Sequence, residues 1–343
     1  MGSRDNWFPP IENFGFPERV GRGKFFVVEG LTGVRRDLVI EEDSFDDQGG
    51  GFVSHGLDIW WDDSEPDRVL LFAVNHAVDR DRGIKGLEGV RSRVEIFEHQ
   101  VGSGKVRWRR SVQHEAIRTP NDLLVVGERE FYVTNDHRYR EGLWRLAEDI
   151  GFEWARWSDV VRVKLGGLEK GGKVEVEDAM GPEHNPNGLG HGKGKGDVLL
   201  GRAIAGVVAV MKRRANGTLE IVEEVQMPNT IDNPVYFHDP YVKETGKDAS
   251  GFVIAGMPLA KGFPAEEFLH SAVWLVSDGA GMAGKGTERE KRLIFQDDGH
   301  IMHSASTAII VAINPKDNAG KKEGWLYVTG PLGKGVVRTK IEL

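Results

Sequence analysis

The chain has no cysteine among its 343 residues, which excludes disulfide staples, thiolate metal sites and cysteine nucleophiles together. It has no excess of positive charge either. Its 45 Lys and Arg stand against 53 Asp and Glu, a formal net charge of -8, so no basic field exists to hold a phosphate backbone and nucleic acid is not an expected partner. A mean hydropathy of -0.37 and the lack of long apolar runs argue against an integral membrane protein and predict no transmembrane segment. The first ten residues, MGSRDNWFPP, lack the basic-then-apolar order of a secretion signal, which leaves the compartment undetermined. No G-x-S-x-G elbow, P-loop or H-E-x-x-H occurs, so the standard serine-hydrolase, nucleotide-phosphate and zinc-protease templates are disfavoured.

What the chain does have is glycine. Its 45 glycines are about twice the roughly 7% of average usage, and they fall between short apolar runs rather than in one flexible tract. The runs are KFFVVE (24–29), VLLFAV (69–74), VEIFE (94–98), LLVV (123–126), FYVT (131–134), VVRV (160–163), VLL (198–200), VVAVM (207–211), GFVIA (251–255), SAVWLV (271–276), AIIVAI (308–313), WLYV (325–328) and VVRTKI (336–341). Short length, β-branched or aromatic composition and Gly, Asp, Asn or Pro boundaries mark them as strands. One helix is expected, over 141–154, where Leu143, Leu146, Ala147 and Ile150 recur at helical spacing. An amphipathic helix packed on a sheet is its ordinary reading, and a lid or lipid-facing element the other.

Many short strands with almost no helix leave sandwich, barrel or propeller, and this many strands favour the radial repetition of a β-propeller. No crisp WD or kelch repeat sets the blade count. DDQGGG (46–51) and GKGKG (192–196) read as exposed turns, and no linker divides the chain. The expected organisation is an N-terminal extension over 1–23 and one propeller domain over 24–343.

Short Asn, Asp and His clusters stand at the strand ends: Asn75-His76, His114, Asn121-Asp122, Asn135-Asp136-His137, Asn187-Gly188 and Asp232-Asn233. Amide and carboxylate oxygens suit a hard cation such as calcium, which accepts six to eight oxygens in irregular geometry. Each pair taken alone is equally an Asx turn bonding its own backbone. His137, His184 and His191 read as ordinary hydrogen-bonded imidazoles.

The stretch VNH (74–76), RVEIFEH (93–99) and QHEAIRTPNDLLVVGEREFYVTNDH (113–137) resembles the paraoxonase/arylesterase family, especially its fungal members. The likeness resumes at NPNGL (185–189), NTIDN (229–233), HSASTAIIV (303–311) and the C-terminal GWLYVTGPLGKGVVRTKIEL, covering most of 24–343. The resemblance implies a six-bladed β-propeller with two calcium ions in a central tunnel, one catalytic and one structural. It implies hydrolysis of small-molecule lactones, aryl esters or organophosphate triesters. By the same resemblance, Asn135, Asn187, Asp232 and Asn233 match ligands of the catalytic ion, Asp136 matches a ligand of the structural ion, and the Val78 carbonyl sits at the position that assists it. His76 and His114 match the active-site histidine pair; His76 is expected to be the general base and His114 its support. His55, in SHGLDI (54–59), resembles a turn that shapes the tunnel and is expected to be structural, while Thr134 and Asn121-Asp122 frame the loops.

The sequence departs from the family in ways that bear on activity. Family members begin with a strand holding an adjacent Glu-Asp pair, one carboxylate for each ion; no equivalent precedes Lys24, and Glu41-Glu42-Asp43 lies elsewhere relative to His76. Fewer carboxylates weaken calcium binding. Met257 stands where animal members carry a further histidine. The expected function is a calcium-dependent ester or lactone hydrolase. The alternative is a non-hydrolytic propeller that binds a ligand or partner, and a strictosidine-synthase-like condensing enzyme is disfavoured by the TNDH and DN signatures.

Overall fold

A computed structural model describes residues 7–11, 13, 15–16, 19–20, 23–41, 45, 50–79, 89–151, 154–257, 270–278 and 289–343. The Glu42-Asp43 pair and most of the turn expected at 46–51 lie outside the described residues. The chain divides into two compact units. The first is Met1–Val28, Arg35–Asn187 and Arg214–Leu219; the second is Glu29–Val34, Gly188–Arg213 and Glu220–Leu343.

In the first unit the strands are β1 (Phe25–Val28), β2 (Arg35–Ile40), β3 (Ser54–Trp61), β4 (Arg68–Val78), β5 (Val90–Gln100) and β6 (Lys105–Val112). They form one sheet in the order β1-β2-β6-β5-β4-β3, where β3 to β6 are an antiparallel meander and β2 joins β6 in parallel. A second meander follows: β7 (Pro120–Gly127), β8 (Glu130–Asn135), the helix α1 (Gly142–Gly151), β9 (Ser158–Leu165) and β10 (Val174–Glu183), ordered β10-β9-β8-β7. Leu70, Phe72, Val94, Ile96, Leu123, Phe131 and Val161 pack between these two sheets and are nearly inaccessible to water. Each such side chain contributes about 1.5–3 kcal/mol relative to exposure.

The next sheet, most of it in the second unit, has the order β11-β12-β13-β14, from β11 (Pro186–His191), β12 (Asp197–Arg202), β13 (Val207–Arg213) and β14 (Leu219–Gln226). The last sheet is built from β15 (Thr230–Phe237), β16 (Gly251–Met257), β17 (Ser271–Ser277), β18 (Lys291–Asp297), β19 (Thr307–Ala312), β20 (Glu323–Thr329) and β21 (Val337–Glu342). It contains two meanders, β15 to β18 and β19 to β21, tied by one parallel pairing of Asn233 with Thr307. The chain is thus all-β, and four-stranded antiparallel meanders are the units from which propellers are assembled.

Two glycines explain how neighbouring meanders approach. A Cβ on Gly56 of β3 would lie 2.2 Å from Asp122 Oδ1 and 2.5 Å from Asp122 Cα of β7. One on Gly188 of β11 would meet Asn233 Oδ1 of β15 at 2.4 Å, inside the second unit. In both places the third residue of one meander's first strand is a glycine seated against the Asx pair near the start of the next, a backbone approach no side chain permits.

Helix α1 forms where the periodicity predicts it but sits the other way round. Leu143 is 84% exposed and Leu146 and Ile150 also face water, while Arg145 and Glu148 are buried. The polar side holds it. The Glu148 carboxylate accepts the Arg138 and Tyr139 backbone N–H groups and the Ser158 hydroxyl (2.6 Å), and the Glu148 carbonyl meets His184 Nε2 at 2.8 Å. Hydrogen bonds to a charged group are worth about 1.5–3 kcal/mol each, enough to override a weak apolar preference. Among the described residues no helix is long and apolar enough to cross a membrane.

Candidate active site

His76 lies near the end of β4 and is only 2% exposed. Antiparallel pairing sets Ser92 of β5 opposite it, and the Ser92 hydroxyl is 2.9 Å from His76 Nδ1. On its other side, His76 Nε2 is 3.1 Å from His55 Nδ1. His55 reaches it because the β3–β4 register slips between Ser54 and Leu57, and a bulge re-aims a side chain that regular pairing would direct elsewhere. Phe8 packs edge-on against His55 at 4.9 Å between ring centroids, and the Trp7 indole donates to the His76 carbonyl at 3.0 Å. Arg140 Nη1 donates to the Ser92 oxygen at 3.0 Å, and burial draws the Arg140 guanidinium down to about 10, against the opposing pull of Asp136.

The hydrogen bonds of His114 are local. Its Nδ1 accepts the Ala116 N–H at 3.1 Å and its carbonyl accepts the Ile117 N–H at 2.9 Å, so it closes the turn before β7. The imidazole partner that the structure gives His76 is His55, which by sequence alone is a structural turn residue. Only the bulge could have disclosed it, and a bulge has no sequence signature beyond the glycine at 56.

A second buried cluster follows β8. Asp136 contacts His137 Nδ1 at 3.2 Å without hydrogen-bond alignment, and its other oxygen accepts the Asn121 amide at 3.2 Å. His137 Nε2 reaches Asp149 of α1 at 2.8 Å, and Asp149 in turn pairs with Arg145 at 3.2 Å. Burial works against the charge on His137, but the Asp136 charge and the Asp149 hydrogen bond outweigh it and raise the imidazole to about 9. Burial likewise opposes the Asp136 carboxylate, which His137, Arg145 and Asn121 hold far below the ordinary carboxylate range.

The oxygen donors expected to hold calcium differ in readiness. Asn187 Oδ1, in the first unit, is buried and accepts no hydrogen bond among the described residues, as an oxygen prepared for a cation would be. Asp136 adds a buried carboxylate. Asn135 is fully committed: its Oδ1 accepts the Arg118 and Thr119 N–H groups at 2.8 and 3.1 Å, and its Nδ2 donates to Asp159 at 2.6 Å and to the Ala116 carbonyl at 2.9 Å. Val78 ends β4 with its N–H on the Gly50 carbonyl at 2.9 Å. In the second unit, the Asn233 amide donates to Thr307 Oγ1 at 2.8 Å and the Asp232 carbonyl lies against Gly188 and Gly201. Calcium therefore fits Asp136 and Asn187, and does not fit Asn135 with its amide as placed. No group of three or more His, Asp or Glu side chains suited to a metal occurs among the described residues, as expected where most donors are amides. A cavity of about 350 Å³ in the second unit, lined by Val235, Phe237, Val253 and Ile309, is apolar and includes none of the predicted site residues.

A family profile described as Arylesterase matches residues 33–242. Serum paraoxonase/arylesterase 2 of Rattus norvegicus is 26% identical over 182 residues, covering 53% of this chain and 45% of that protein. The Gallus gallus protein of the same name is 25% identical over 184 residues, covering 54% and 46%. The chain thus spans about half the length of the curated relatives it matches. Among solved structures, a periplasmic gluconolactonase of Pseudomonas aeruginosa aligns with 96% of this chain and 79% of its own at 12% identity and a TM-score of 0.41.

Proposed function

The chain belongs to the arylesterase family, and on that premise we propose that it hydrolyses small-molecule esters or lactones, with organophosphate triesters as a further substrate class, on a six-bladed propeller that depends on calcium. The observation that carries the reading is the His55–His76–Ser92 chain, with His76 and Ser92 buried and His55 half-buried, a set of groups able to take and return one proton.

Within the first unit, Asn187, and Asn135 once its amide turns, would be ligands of the catalytic ion, and Asp136 with the Val78 carbonyl would serve the structural one. When bound, calcium supplies a positive centre against the oxygen that gains charge as the acyl carbon is attacked. The chain's own residues handle the proton. His76 takes it from the attacking water and returns it to the leaving oxygen, a contribution of about 10²–10⁴ in rate. Phe8 packs edge-on against both imidazoles, and the Trp7 indole holds the His76 backbone carbonyl.

One observation favours a second reading. Every hydrogen-bonding position of the Asn135 amide is satisfied by protein, the state expected of a site built without an ion. In that reading the protein binds a ligand without hydrolysing it. Phenyl acetate and aliphatic lactone turnover, measured with and without chelator beside a calorimetric calcium titration, tests the choice. Turnover that vanishes with chelator and returns with calcium supports the hydrolase. Calcium binding absent at millimolar concentration together with no turnover overturns it.

A further inference from the structure

We propose that His55 is a positioning residue for His76, and that a one-way hydrogen-bond chain from Arg140 through Ser92 and His76 to His55 fixes which nitrogen of His76 works. The inference rests on the hydrolase reading above and adds to it the route of the proton.

The direction follows from counting donors. A guanidinium can only donate, so Arg140 Nη1 gives its hydrogen to the Ser92 oxygen. Ser92 must then place its own hydrogen, and among the described residues the one acceptor within reach is His76 Nδ1, 2.9 Å away. With Nδ1 accepting, neutral His76 carries its proton on Nε2 and donates it to His55 Nδ1 at 3.1 Å. Reversing the chain would leave the buried Ser92 hydroxyl hydrogen without an acceptor, a loss of about 1–3 kcal/mol. Phe8, edge-on to the His55 ring, holds the far end in place.

This arrangement sets the path of the proton. The lone pair of His76 faces Ser92, so a proton from the attacking water reaches His76 through that hydroxyl. As water oxygen bonds to the acyl carbon, a water O–H bond breaks toward Ser92 while the Ser92 O–H bond breaks toward Nδ1. The hydroxyl is regenerated, His76 becomes imidazolium with Nε2–H still on His55, and the proton returns by the same route to the leaving oxygen as its bond to carbon breaks. Without His55 the ring loses this contact at Nε2, and the relay is misaligned.

The test uses the full chain, phenyl acetate as substrate, and His55→Ala, His55→Gln and His114→Gln. His55→Ala is expected to lower kcat about 30-fold with KM within about twofold, and at least tenfold more than His114→Gln does. His55→Gln, whose side-chain oxygen can accept from Nε2–H, should recover most of the loss. Long-range ¹H–¹⁵N spectra of the imidazoles should show His76 as the Nε2–H tautomer in the unaltered protein and a tautomer mixture in His55→Ala. An Nδ1–H tautomer of His76, or an equal effect of His114→Gln and His55→Ala on kcat, overturns the proposal. If the unaltered protein hydrolyses no ester, the hydrolase reading fails by itself, and the His76 tautomer still decides the chain of hydrogen bonds.

Discussion

The first unit holds two buried polar clusters built on opposite principles. Around His76 the partners of the imidazole are a hydroxyl and a second imidazole, each donor finding one acceptor, and the single cation sits at the far end. Around His137 the groups are ions, two carboxylates against an imidazolium and a guanidinium, and their attraction is what keeps each of them charged. The first arrangement can pass a proton at little cost because its hydroxyl and imidazoles can each both give and accept a hydrogen. The second cannot, and it anchors α1 to the strand ends.

Removing a cation should expose that contrast most strongly. His137→Ala leaves Asp136 buried beside no imidazolium and is expected to cost about 3–5 kcal/mol in urea unfolding, whereas His55→Ala removes the contact with His76 and the edge packing of Phe8 and should cost about 1–2 kcal/mol. Equal losses would break the distinction. His76→Gln reverses the ranking in turnover: kcat should fall about 100-fold, equivalent to about 2.7 kcal/mol, with little change in the unfolding midpoint.

A smaller effect comes from pH, measured in chelator. His137 is raised from 6.5 to about 9 in the folded chain, so its contribution is complete below about pH 6.5 and is lost as pH rises through 9. Asp136 is lowered, so its contribution is complete above the ordinary carboxylate range and is lost as pH falls below it. Unfolding free energy should therefore decline on the alkaline side between about pH 6.5 and 9, and His137→Gln should flatten that limb; a persisting slope assigns it to another group. Smallest of all, Leu143→Ser on the outward side of α1 should change stability by less than about 0.5 kcal/mol, while a loss near 2 kcal/mol would mean that this side is covered.

Strands buried on both sides were the plainest to read from sequence, although the half-exposed β1 and β21 were legible too. VLLFAV became the centre of β4, FYVT became β8 and GFVIA became β16, each nearly inaccessible along its length. The opening strands of the meanders, β3, β11 and β15, escaped because glycine, proline and asparagine at their starts break the apolar pattern. Outer strands such as β10 and β14 escaped because one side faces water and carries glutamates. The helix at α1 was legible from its period, but period does not say which side turns inward; Glu148 decided that by finding backbone donors to satisfy.

By itself the sequence determined the all-β class, the family and the motifs from which the site is drawn, because alternation, turn residues and short polar signatures are local. Which imidazole meets His76, and which asparagine oxygen stays without a hydrogen bond among the described residues, were decided only by tertiary structure. A bulge in β3 and the competition of backbone N–H groups for the Asn135 amide set them, and both depend on strands whose pairing brings together residues distant in the chain.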